Sequence, residues 1–80
     1  MSRKLPREVD GTRLARLLCS RFGYAVRNQV GSHILLELKD AQGHLAIPAH
    51  KSIRVGTLGA ILSLFEEQTG KDREELIELL

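Results

Sequence analysis

Eighty residues suit one small domain, which buries only about 60% of the surface its unfolded chain exposes, so a thin stability margin and a shallow site are expected. The absence of tryptophan and the scarcity of aromatics exclude a stacking platform for single-stranded bases, and the ordinary apolar fraction excludes a disordered chain. The net charge of +2 hides an asymmetry, with ten Lys/Arg against four Asp/Glu in residues 1–54 and two against six in residues 55–80. That pattern fits a polyanion-binding surface with a negative far side, and equally a solvated surface of mixed charge.

Residues 1–9 are basic and contain Pro6, and read as a loose arm. Asp10 is an N-cap for a first helix over Gly11–Phe22, in which Leu14, Leu17, Leu18 and Phe22 form an apolar stripe and Arg13, Arg16 and Arg21 lie off it. Cys19, the only cysteine, excludes an internal disulfide and a cysteine-based zinc site, points to a reducing compartment, and reads as a small core residue. Gly23 closes the helix.

Tyr24–Val30 alternates as a first strand, Gly31-Ser32 carries the chemistry of a hairpin turn, and His33–Leu38 forms a second strand. Asp40-Ala41-Gln42-Gly43 is a second turn, and His44–Pro48 a short third strand. Parity puts Ile34, Leu36, Leu38, Leu45 and Ile47 on a helix-covered face with Tyr24 and Val26. His33, Leu35 and Glu37 then point to an open face, with Arg27, Gln29 and His44 as neighbours of His33.

Ala49–Val55 is a loop holding His50, Lys51 and Arg54. Thr57 is the expected cap of a helix whose stripe is Leu58, Ile61, Leu62 and Phe65 and whose end is Gly70. Asp72-Arg73-Glu74-Glu75 has the spacing of a capping box and predicts a short helix to Leu80. The order is helix, three antiparallel strands, helix, helix: an α+β two-layer domain over residues 1–80, with helices on one face. No apolar run approaches the roughly 18–20 residues of a membrane span and the basic start lacks the apolar run of a signal peptide, so the cytoplasm is the expected location.

The three histidines match no standard zinc spacing, and no metal or other cofactor is expected. Ser32 and His33 are adjacent, so their side chains face opposite ways, and no acid is positioned to orient the imidazole as in a hydrolytic triad. Gly31-Ser32 is too short for a phosphate-cradling loop. What remains is a histidine, a residue able to exchange protons near neutrality, beside a basic surface. That suffices for RNA cleavage, because RNA carries its own nucleophile in the 2′-OH. The alternatives are an exposed polar strand residue in a non-catalytic RNA-binding module, or an interaction domain whose sheet edges pair with a partner strand.

Gly31-Ser32-His33, Pro48-Ala49-His50 and Gly56-Thr57-Leu58, in that order in so short a chain, resemble the HicA family of toxins from bacterial and archaeal toxin–antitoxin pairs. The similar stretch runs from about Asp10 to Phe65 and includes Phe22-Gly23-Tyr24, Arg27 and Ile61-Leu62. The resemblance implies a double-stranded-RNA-binding-like fold, metal-independent cleavage of mRNA, and neutralisation by a HicB-like antitoxin protein. It assigns the catalytic role to His33, as general base, with Gly31 and Ser32 shaping the turn that presents it. Arg27, Ser32, His50, Lys51 and Arg54 are the expected RNA-binding residues, with Arg27, Lys51 and Arg54 holding phosphates and His50 serving as general acid or fixing its loop by a hydrogen bond. The segment between His50 and Gly56 is shorter and less lysine-rich than is usual in the family, and Leu35 is unusually apolar for an open face, which would suit an antitoxin contact. The extension from Lys71 falls outside the family pattern and is assigned packing or partner contact.

Overall fold

Asp10 has extended backbone angles, and its Oδ1 accepts from the amides of Thr12 at 2.9 Å and Arg13 at 3.5 Å, so α1 (Gly11–Phe22) starts and ends where its capping residues dictate. Gly23 takes the left-handed conformation at φ 80° that closes it. Leu14 and Leu18 are fully buried, Leu17 and Phe22 half-buried, and the Phe22 ring stands edge-on to Phe65 with centroids 4.9 Å apart. The computed structural model describes residues 5–6, 8–39 and 43–80; the expected turn at 40–42 and most of the expected arm lie outside the described residues.

β1 (Tyr24–Val30), β2 (His33–Leu38) and β3 (Gly43–Pro48) form an open antiparallel sheet in the order β1-β2-β3. Gly31, at φ 59°, makes the tight connection between the first two. In β2 and β3 the alternation is clean. Ile34, Leu36, Leu45 and Ile47 are buried on the helix side, while His33, His44 and Ala46 are exposed on the other.

β1 departs from the expected alternation. Val26 pairs with Leu36 and Asn28 with Leu35, so Arg27 and Asn28 together oppose one residue in a β-bulge. Because side chains alternate with a period of two, the extra residue reverses the facing of everything beyond it. Gln29, expected on the open face, pairs with Ile34 on the helix side, and Val30 pairs with His33 on the open face. Val26 keeps its helix-side parity yet is 59% exposed, in the wall of a groove it shares with α1 residues such as Thr12 and Cys19.

α2 (Val55–Thr69) begins two residues before the expected cap at Thr57. Arg54 occupies the N-cap position with no side-chain hydrogen bond to the first turn, and Leu58, Ile61, Leu62 and Phe65 are buried as the stripe requires. α3 (Arg73–Ile77) is capped by Asp72, whose Oδ1 accepts from the Glu74 amide at 3.0 Å. It stops short of Leu80, and a turn carries the chain on, with Leu80 half-buried against the core. Five residues are too few to hold a helix by propensity. Burial of Leu76, worth roughly 1.5–3 kcal/mol, and the Arg73–Glu66 ion pair at 2.9 Å dock α3 instead.

The segment before α1 is not loose where it is described. Val9 is buried, its carbonyl accepts from the Ile53 amide at 2.9 Å, and the apolar Leu5 packs against the core on the side of α2 where Gly59 carries no side chain. Among the described residues no helix is long and apolar enough to cross a membrane.

Candidate functional site

His33 opens β2 directly opposite Pro48, the last residue of β3. The chain then leaves the sheet, and the Ala49 amide donates to the Ser32 carbonyl at 2.6 Å, so the loop carrying His50 folds back beside the turn that carries His33. Two further backbone bonds hold that loop, from the Gly11 amide to the His50 carbonyl at 2.8 Å and from Ile53 to Val9. The loop is therefore fixed through the backbone of His50. Its hydrogen-bonding role does not call on the imidazole.

The result is a hollow of about 330 Å³ lined by His33, Pro48, His50, Ile53, Arg54 and Thr57. No carboxylate lines it, and His33, His50 and Arg54 are all exposed. Thr57 and Arg54 bring in the first turn of α2, whose leading amides receive no side-chain cap. Uncapped N–H groups and the positive end of the helix dipole form a natural seat for an anion, here with a guanidinium beside it. Ile53 and Pro48, both buried, supply its apolar part.

The other expected site residues are distributed around this centre. Ser32 is exposed and contributes its backbone carbonyl. Lys51 lies exposed in the same loop but does not line the hollow. Arg27 stands apart on the β1 bulge, where with Asn28, Leu35, His44, Ala46 and Leu64 it lines a second hollow of about 540 Å³ in the open sheet face. His44 thus belongs with Arg27 rather than with His33. Gln29 faces a helix-side groove with Thr12, Cys19 and Val26, away from both hollows. Burial raises the pKa of the half-buried Cys19 thiol, which makes it a poor nucleophile at neutral pH. Among the described residues no three His, Cys, Asp or Glu side chains gather as a metal-ligand set.

Two contributors escape a reading of the sequence. Thr57 and the α2 amides were hidden because Thr57 resembles a cap. Strict alternation from Tyr24 and Val26 would put Asn28 on the core side, and the signal against that is its own polarity at a position where the alternation demands an apolar residue.

Comparison with family models, curated proteins and solved structures returned no match.

Proposed function

We propose that the chain is a HicA-like ribonuclease toxin with a double-stranded-RNA-binding-like fold, cleaving mRNA and held in check by a HicB-like antitoxin. The observation that carries this reading is the convergence of His33, His50, Arg54 and the uncapped start of α2 on one acid-free hollow. The α-β-β-β-α order ahead of α3, with one sheet face left open, supports the fold.

The chemistry follows from the parts. A phosphodiester seated against the α2 amides and Arg54 brings the 2′-OH of the preceding ribose toward His33. The His33 imidazole takes the 2′-OH proton, the oxygen attacks phosphorus, and the charge that builds on the phosphorane oxygens is stabilised by the guanidinium and the helix amides. The P–O5′ bond breaks, and His50 protonates the departing oxygen. The products are a 2′,3′-cyclic phosphate and a 5′-hydroxyl, with no enzyme-bound intermediate. Lys51, outside the hollow, attracts the flanking backbone, and this binding weakens with salt.

End-group analysis of RNA cut in the presence of a chelator tests the proposal. Cyclic phosphate and 5′-hydroxyl ends are expected, together with full resistance of a substrate carrying a single 2′-deoxyribose at the cut. Salt-dependent RNA binding without any cleavage would leave a binding module in place of an enzyme.

A further inference from the structure

The second hollow is the strongest feature that the proposed cleavage chemistry does not use. It exists because the β1 bulge puts two consecutive side chains, Arg27 and Asn28, against Leu35 on the open face. Its lining is mostly apolar, from Leu35 and Ala46 with the buried Leu36 and Leu45 and the 43% exposed Leu64 of α2, and its polar members are Arg27, Asn28 and His44. At about 540 Å³ it falls within the roughly 300–1,000 Å³ typical of small-molecule sites.

The polar members are rich in donors. The Arg27 guanidinium can only donate. Asn28 engages its Oδ1 with the Gln29 amide at 2.8 Å, which commits the oxygen and leaves the NH₂ as the group it can offer a ligand. No carboxylate lines the hollow; Glu37 lies beyond it on the same face, paired across the sheet with His44, and makes that end unfavourable for phosphate. Two neighbouring donors in an apolar lining suit a flat heterocycle with two adjacent acceptors on one edge. Guanine presents O6 and N7 in that arrangement, whereas adenine places an amine donor beside N7 and the pyrimidines lack the pair.

Leu35 follows His33 by two residues on the same face, about 7 Å along the strand. We infer that this hollow binds a guanine base, and that it selects the nucleotide next to the linkage cleaved at His33. The base site itself stands on the hollow's geometry; its place beside the cut rests on the proposed ribonuclease reading.

Titration of the ¹⁵N-labelled protein with 5′-GMP, AMP, UMP and inorganic phosphate separates the two. GMP should shift the Asn28 side-chain NH₂ and the amides of Leu35 and Ala46 saturably, about tenfold more tightly than AMP or UMP, and Asn28→Ala should erase that preference. Equal affinity for all three nucleotides, shifts reproduced by phosphate alone, or no shift within the hollow would overturn the inference. In a parallel cleavage assay, 7-deazaguanine beside the cut should slow the reaction about tenfold. Selective GMP binding in a protein that cuts no RNA would sink the ribonuclease reading and leave the base site standing. Cleavage indifferent to guanine would overturn the site's place beside the cut, while base binding itself stands or falls by the titration.

Discussion

The Ala49 amide and the Ser32 carbonyl, 2.6 Å apart, join the turn before His33 to the loop that bears His50. Two short polar motifs that are distant in sequence become one wall of a single hollow through that bond and the His33–Pro48 pairing beneath it. The site is thus held by backbone geometry, which lets its side chains be replaced with little cost to the fold.

His50→Ala should separate the two roles open to that residue. Since the loop is fixed by the His50 carbonyl, thermal denaturation should show a stability change within about 0.5 kcal/mol. Loss of a general acid should slow RNA cleavage by about 10²-fold or more. A variant that is unstable yet catalytically normal after correction for folded fraction would assign the imidazole to structure.

Gly11 is required by a close approach. A methyl group there would overlap the Pro48 carbonyl oxygen, a backbone atom that cannot swing aside. Gly11→Ala should destabilise the protein by about 1–3 kcal/mol in urea denaturation, and should disturb the neighbouring His50 loop. Gly56→Ala meets open space, and should be neutral or stabilise by up to about 1 kcal/mol.

Tyr24 and Gln68 tie the sheet to α2. The Tyr24 hydroxyl donates to Gln68 Oε1 at 2.8 Å, and Gln68 Nε2 donates to the His44 carbonyl at 2.8 Å. Burial pushes the Tyr24 pKa up from its ordinary 10.0 to about 12. A folded-state pKa above the unfolded one means that the contribution is fully present below pH 10 and is lost as the pH rises through about 12. Tyr24→Phe should cost about 1 kcal/mol at pH 7 and remove this alkaline loss. The chain has one tyrosine and no tryptophan, so ultraviolet absorbance follows the ionisation directly.

Glu66 and Arg73 act in the opposite pH range. Glu66 Oε1 accepts from Arg73 Nη2 at 2.9 Å and Oε2 from the Arg73 amide at 3.0 Å, and these bonds hold its carboxyl below the ordinary 4.5. A depressed folded pKa gives stability present above pH 4.5 and lost as the pH falls through the lower value. Glu66→Gln should therefore speed amide exchange in α3 at pH 7. The difference from the unaltered protein should shrink in acid.

Most of the fold was legible because its punctuation is chemical. Asp10 and Gly23 bound α1 as their side chains require, and the unbroken alternation of β2 and β3 put His33 on the open face. The bulge was not legible, since one added residue changes facing without changing composition, and Asn28 alone betrayed it. The start of α2 is set by the tethered His50 loop rather than by a local cap, so Thr57 misled. The proximity of His33 and His50 followed from no local pattern. Strand pairing created it, and only the resemblance in motif order had suggested that the two belong together.

The most direct measurement is RNA cleavage by His33→Ala. His33 is exposed, so the variant should fold with an unchanged Tm, retain salt-dependent RNA binding through Arg54 and Lys51, and lose cleavage by at least about 10²-fold. A folded His33→Ala protein that cuts RNA at the original rate would contradict the assignment of the general base.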